Sequence, residues 1–317
     1  MCSNAESGIR AWDVEWSGTG VNVDDREWRR LAGQVRNGDC TPFLGAGACV
    51  PTLPTGKELS LTWADSYQYP FEDWSNLPEV MQYACVIERD PVTVKQRLVD
   101  ELASMGTPDF SDPAEPHALL ARYPISVYLT TNYDDYMTRA LHREGKQPRA
   151  AVCPWYRGSN ASAEMDLPVD YHPDSEEPLV YHFHGNFSDP ASLVLAEQDY
   201  VEFLINLVMD RGMNDQRVVP LQVLPALTRH PLLFVGYNLR DWSFRTLFHG
   251  LVRAVADVQR RRHVSVQIAP LADEPEAGRN DRAQEYLTQY FQQQNISVFW
   301  GTAREFCTEL AHWLEDT

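Results

Sequence analysis

Two histidines, one asparagine and one glycine turn carry the chemical potential of this 317-residue chain. The segment Tyr181-His182-Phe183-His184-Gly185-Asn186 places its histidines two residues apart. In an extended strand that spacing puts both imidazoles on one side and Phe183 on the other. An imidazole titrates near neutrality, so His184 can take a proton from water or a hydroxyl at physiological pH. Such an imidazole can serve as a general base or pack as a structural residue, and His182 could share or exchange either part. Asn132, in Leu129-Thr130-Thr131-Asn132-Tyr133-Asp134-Asp135, offers an amide that donates to a hydroxyl or holds an attacking water. Gly45-Ala46-Gly47 ends the apolar run Pro42-Phe43-Leu44. Without a Cβ in the way, backbone N–H groups of such a turn can approach a pyrophosphate.

These residues need a scaffold that brings distant segments together. Four segments share one layout, an apolar strand followed by a small or polar tip; the fourth is Phe234-Val235-Gly236-Tyr237-Asn238. Open α/β sheets bind ligands where the carboxyl ends of their strands meet such tips. Strands are predicted at 41–45, 125–130, 179–184, 231–236, 264–269 and 296–300. Helices are predicted at 25–37, 133–143, 197–210, 217–229, 241–259, 280–294 and 303–314. This alternation predicts an α/β fold, a Rossmann-like doubly wound parallel sheet. Residues 148–178 contain Pro148, Pro154, Pro168, Pro173 and Pro178, and read as loop or short irregular strand. From about 56 to 106 the pattern is helical and divided by Pro70, Pro78 and Pro91. That block is too long for a simple crossover and reads as a helical insert over the sheet edge, a candidate lid. Residues 1–24 form a polar arm anchored only by Trp12 and Trp16, and residues 25–317 form the catalytic domain.

Composition narrows the function. The formal charge is −18, from 27 basic and 45 acidic side chains, which excludes a protein that grips nucleic acid by itself. The basic run Arg260-Arg261-Arg262-His263 reads as a solvated helix end. Six scattered cysteines contain no C-x-x-C pair. They build neither a disulfide framework nor a zinc ribbon, and suit a reducing cytosol. No stretch has the length of a membrane span, and the N-terminus lacks the order of a signal peptide. The expectation is a cytoplasmic protein with no metal.

The ordered set of motifs resembles the sirtuin superfamily across about residues 30–300. Gly45-Ala46-Gly47 is similar to the family's dinucleotide loop. Thr131-Asn132-Tyr133-Asp134 is similar to its Thr-Gln-Asn-Ile-Asp segment, and His184-Gly185 to its His-Gly pair. Gly236-Tyr237-Asn238 stands where a Gly-Thr-Ser loop contacts the cofactor. The zinc module of the deacylase branch is missing, and so is its Asp-Phe-Arg. Leu53-Pro54-Thr55-Gly56, Leu61-Thr62-Trp63-Ala64-Asp65-Ser66-Tyr67 and Asp241-Trp242 resemble the SIR2-type domains of bacterial anti-phage systems.

What the resemblance implies is an NAD glycohydrolase that yields nicotinamide and ADP-ribose and acts as a defence effector. Cleavage would pass through an oxocarbenium-like state with a cationic leaving group that needs no protonation. Asn132 would orient the ribose or water and His184 would act as base. Gly45, Ala46 and Gly47 would line the pyrophosphate, Asp134 the nicotinamide or ribose, and Gly236 with Asn238 the adenosine. The rival readings are an NAD or ADP-ribose sensor without turnover, and a protein deacylase or ADP-ribosyltransferase. Control would come from a homo-oligomer or a separately encoded partner, such as a HerA-type ATPase or an Argonaute-like protein. His117 reads as a helix cap or packing residue, and Cys49 as a small buried residue rather than a nucleophile. Trp63, Trp74, Tyr83, Trp242, Phe244 and Phe248 read as core, with one of the first three able to shape the nicotinamide pocket.

Overall fold

Alternating burial on both sides of short apolar strands builds this fold. A computed structural model describes residues 23–156, 167–168, 170–209, 218–237, 263–267 and 279–315. The arm at 1–22, Asn238, the expected helix 241–259 and Arg260–Arg262 lie outside the described residues. Seven strands form one sheet: β1 (Thr41–Leu44), β2 (Val127–Thr130), β3 (Arg149–Val152), β4 (Leu179–His182), β5 (Leu232–Val235), β6 (His263–Gln267) and β7 (Ile296–Trp300). Their order is β3-β4-β2-β1-β5-β6-β7, and every neighbouring pair is parallel. The expected doubly wound sheet is therefore the observed one.

The central strands β1, β2, β4 and β5 feed two cores. Phe43, Leu129, Tyr181 and Phe234 face one side; Leu44, Tyr128, Val180, Leu233 and Val235 face the other. A sheet buried on both faces has no polar side to alternate with, which is why these strands read as continuous apolar runs. On the first side pack α7 (Glu197–Met209), α8 (Leu224–Arg229) and α9 (Arg279–Gln293), through Phe203, Leu227 and Phe291. On the second pack α1 (Asp25–Asn37), α5 (Pro116–Ala121), α6 (Tyr136–Arg143) and α10 (Ala303–Glu315), through Leu31, Leu119, Met137 and Phe306.

Helix ends follow their local chemistry. Asp24 caps α1 by accepting from the Glu27 N–H, and Gly38 closes it in the left-handed region at φ 70°. A Cβ at Gly38 would stand 2.2 Å from the Pro124 carbonyl, so only glycine fits there. α6 starts at Tyr136, later than the expected 133, because Asp134 turns back to accept from the Tyr136 N–H at 2.9 Å. α8 is shorter than the 217–229 expected. In the proline-rich stretch β3 forms as a short edge strand, the position where proline-flanked segments are tolerated.

The insert is three helices: α2 (Gly56–Ser66), α3 (Leu77–Glu88) and α4 (Pro91–Ala103). Thr55 and Glu58 form a reciprocal cap on α2, and Asp90 caps α4. Trp63, Val80, Met81 and Leu98 make a third core shared with Cys49, Tyr136, Leu193 and Leu195. Those last four follow β1, β2 and β4, so the insert covers the carboxyl ends of the strands. One ion pair clasps it there: Lys95 Nζ meets Asp199 Oδ1 at 2.8 Å, with side chains only 6% and 15% exposed. The same ammonium lies 5.4 Å from the Trp155 ring centre. No described helix is long and apolar enough to cross a membrane.

Removing one member of a buried pair strands the other charge, at a cost of about 3–5 kcal/mol. Lys95→Ala is expected to lower stability by that amount in urea unfolding and to open the insert to proteolysis. Arg139→Ala, which breaks a pair whose side chains are about half exposed, is expected to change little.

Candidate active site

β1 and β5 lie side by side, yet the chain builds β2, β3 and β4 on one flank before returning to β5 on the other. The crevice beyond their carboxyl ends is a topological switch point, the place where such sheets receive ligands. Glycines dominate it. Gly236 has φ 82°, and a Cβ there would stand 2.2 Å from the Ala48 nitrogen. A Cβ at Gly45 or Gly47 would meet Gly236 backbone atoms at 2.9 or 2.8 Å. The loops after β1 and β5 therefore touch backbone to backbone. Gly45 N–H donates to the Val235 carbonyl, Gly47 N–H to the Gly236 carbonyl and Ala48 N–H to the Gly45 carbonyl, each at 2.9 Å. These glycines thus serve the approach of the two loops, and Ala46 is the exposed residue of the three.

The tip of β2 is tied to the same place. The Leu44 carbonyl accepts from the Thr131 N–H at 3.1 Å, the Thr130 hydroxyl at 3.1 Å and the Tyr237 hydroxyl at 2.9 Å. Thr131 Oγ1 lies 2.8 Å from the same tyrosine oxygen. Asn132 follows directly. Its Nδ2 donates to the Gly45 carbonyl at 3.0 Å and to Cys49 Sγ at 3.1 Å. A carbonyl only accepts, so this fixes the amide's orientation. With both amide hydrogens used, Oδ1 is the atom left to accept a further hydrogen bond.

Asp134 turns away from this edge. It is buried, accepting from the Cys49 thiol at 3.2 Å and from the Tyr136 N–H at 2.9 Å. Burial, and then the Asp134 charge, push the Cys49 thiol well above its ordinary pKa, so it stays protonated. His117 is also buried, with Nδ1 2.6 Å from Glu115 Oε1, and Glu115 caps α5 through the Ala118 N–H. The cap-or-pack reading of His117 and the buried reading of Cys49 match these positions.

The two histidines separate. His182 ends β4 and is fully buried; its Nδ1–H donates to the Asn132 backbone carbonyl at 3.1 Å. It braces the asparagine loop from below. His184 lies beyond the strand end, where Gly185 at φ 86° turns the chain. A Cβ at Gly185 would stand 2.3 Å from the Ser192 carbonyl, so the turn itself requires the glycine that follows His184. The imidazole of His184 meets the rings of Tyr200 and Phe203 edge-on, at 5.3 and 5.0 Å between centres. Burial pushes its pKa down to about 3, so it is a neutral imidazole at physiological pH. No hydrogen bond joins the side chains of His184 and Asn132 among the described residues.

No local pattern marks Tyr237, Thr131 or Trp155 as site residues. The contact of Tyr237 with Leu44 spans 193 residues, beyond the reach of any local motif. Trp155 Nε1 donates to the Ser192 carbonyl at 2.8 Å and so braces the loop after His184. Two cavities, of about 540 and 270 Å³, lie elsewhere, beside Trp28 and Trp300 and beside Tyr171.

The glycine contact predicts a sharp contrast. Gly236→Ala is expected to lose more than about 2 kcal/mol, from positive φ and collision together. Gly33→Ala, inside α1 with nothing within 4 Å, is expected to gain about 0.5–1 kcal/mol from helix propensity. Chemical denaturation of the two variants beside the parent measures both.

Comparison with known proteins adds to this geometry. The NAD(+) hydrolase ThsA of Acinetobacter baumannii (strain 532279) is 24% identical over 220 residues, covering 67% of this chain and 39% of that protein. The protein of the same name from Bacillus cereus (strain MSX-D12) is 26% identical over 190 residues, covering 60% of this chain and 34% of that one. The chain thus spans under half the length of these curated relatives. A solved structure described as a structural basis for the mechanism and regulation of Sir2 enzymes aligns over 92% of this chain and 98% of its own. That alignment has 14% identity and a TM-score of 0.43. A family model described as a SIR2-like domain matches residues 126–299, more than half of the chain, and takes in Asn132, His184 and Gly236. The chain belongs to the SIR2-like domain family.

Proposed function

We propose that the chain hydrolyses NAD at the bond between nicotinamide and ribose, as a defence effector. One observation carries the reading: a SIR2-like chain sets Asn132 at the tip of β2 beside the glycine crevice, with His184 following β4 at the same edge. The relatives' name, NAD(+) hydrolase, supports the substrate.

The chemistry follows from the charges. The bond between the anomeric carbon and the pyridinium nitrogen breaks with its electron pair on nitrogen, so the leaving group departs neutral. The ribose becomes oxocarbenium-like and is captured by water, which then loses a proton. Asn132 Oδ1 holds that water or a ribose hydroxyl by accepting its hydrogen. His184 accepts a proton from it as the positive charge is quenched. A dry imidazole is a weak base, and a cation this reactive needs no stronger one. Dryness also keeps bulk water from the reacting carbon before the substrate is aligned. Of the expected cofactor contacts, Gly45, Gly47 and Gly236 would act by packing the loops after β1 and β5 together at the base of the crevice, and Ala46 by its exposed position. Asp134 would act through Cys49 and Asn132 rather than by touching nicotinamide, and Asn238 remains assigned to the adenosine side. Control by self-assembly or by a separately encoded sensor is part of the same proposal.

The test is chromatography of NAD incubated with the purified chain, beside Asn132→Ala and His184→Ala, with and without candidate partners. Nicotinamide and ADP-ribose from the parent, reduced at least 100-fold in both variants, is the expected result. NAD binding without product under every condition would favour the sensor reading. A pH profile adds a sign. Because burial lowers the His184 pKa, the base form persists as pH falls, so activity should hold well below the ordinary histidine range near 6.5. An acidic limb centred near 6.5, lost in His184→Gln, would show instead that His184 works in a hydrated state.

A further inference from the structure

We propose that Cys49, His117 and Asp134 form a binding site for a thiophilic divalent cation of the zinc type, beneath the asparagine loop. The sulfur, one imidazole nitrogen and one carboxylate oxygen lie within 4.8 Å of one another, and all three residues are buried. Thiolate, imidazole and carboxylate are zinc's ordinary ligands, at about 2.3, 2.0–2.1 and 2.0–2.2 Å. A tetrahedral ion therefore needs its ligand atoms about 3.3–3.8 Å apart. Cys49 Sγ and Asp134 Oδ2, at 3.2 Å, are just short of that separation, and all three ligand atoms lie within 4.8 Å of one another, so modest side-chain shifts bring them onto one ion.

The outer contacts match a metal site. Glu115 Oε1 holds His117 Nδ1 at 2.6 Å, which leaves Nε2 as the ligating nitrogen. A carboxylate behind a histidine is the usual support of a metal-bound imidazole. The other oxygen of Glu115 is pinned by the Ala118 N–H at 2.6 Å, and the other oxygen of Asp134 by the Tyr136 N–H at 2.9 Å. The short helical turn Ala46–Cys49 fixes the sulfur, and Asn132 Nδ2 would go on donating to it as a thiolate. Three protein ligands leave one position for water. Binding forms bonds from the metal to sulfur, nitrogen and oxygen, and releases the Cys49 thiol proton and any proton on His117 Nε2 to solvent. No oxidant or reductant takes part.

Cobalt(II) tests the site directly, because a thiolate ligand gives a charge-transfer absorption that nitrogen and oxygen ligands do not. The intact chain, freed of metal, is titrated with cobalt(II) and then with zinc. One equivalent of cobalt with tetrahedral visible bands and a thiolate charge-transfer band, displaced by one equivalent of zinc, is the expected result. Cys49→Ser should lose the charge-transfer band, and Glu115→Gln should bind about 10–100-fold more weakly. Cys307→Ser, a buried cysteine outside the cluster, should leave the spectrum unchanged. Thermal melts of each metal-free variant establish that it is folded. Absence of stoichiometric binding to the folded parent overturns the proposal, as does a charge-transfer band that survives in Cys49→Ser. Neither readout depends on NAD turnover, so the site and the proposed activity stand or fall separately.

Discussion

The backbone contact between Gly45, Gly47 and Gly236 is the constraint on which the site depends. Two parallel strands normally end in loops that diverge, because side chains at their tips need room. Here three glycines remove those side chains, and the loops after β1 and β5 close on one another at the switch point. The contact fixes the Gly45 carbonyl, which orients the Asn132 amide, and it holds Tyr237 against Leu44. The orientation of the key amide is thus a consequence of where Cβ atoms are absent.

Around this contact the structure buries a group of polar side chains that bond one another. Thr130, Asn132, Asp134, Cys49, His117 and Glu115 form a continuous set of hydrogen bonds and short approaches at the bases of α5 and α6. A buried network of this kind is worth having only when complete, since an unpaired member costs about 1–3 kcal/mol. Its hydrogen bonds tie the asparagine loop to the loop after β1 and to the start of α6. His184 is built by the opposite rule. It sits among Tyr200 and Phe203, and burial keeps it neutral. One side of the edge is polar and braced; the other is dry.

The helical insert joins these two halves. Its core is shared with residues that follow β1, β2 and β4, and the Lys95–Asp199 pair fastens α4 to the start of α7. Asp199 in turn accepts from the Leu195 and Ala196 N–H groups, in the segment whose Val194 N–H bonds the His184 carbonyl. A movement of the insert is therefore a movement of the loop that carries His184.

Local pattern made the sheet legible: β1, β2, β4, β5 and β7 are apolar runs ending in glycine or polar tips, and each lies within one or two residues of its expected place. The same pattern marked Gly45, Asn132, His184 and Gly236, because strand tips in a parallel sheet gather at one edge whatever the rest of the chain does. Strand period alone did not separate His182 from His184, since the two-residue period that aligns them holds only inside a strand, and β4 ends at His182; the His-Gly resemblance favoured His184. Nor could it bring Cys49, His117 and Asp134 together, because ligand spacing is readable only when ligands share one turn or one helix. β3 stayed open between loop and short strand, an edge strand among prolines whose pairing with β4 is its main support. Residue type and local period thus determined which segments form the edge. Only the tertiary structure decided which atoms face one another there, because charge state, amide orientation and side-chain clustering depend on neighbours tens of residues away.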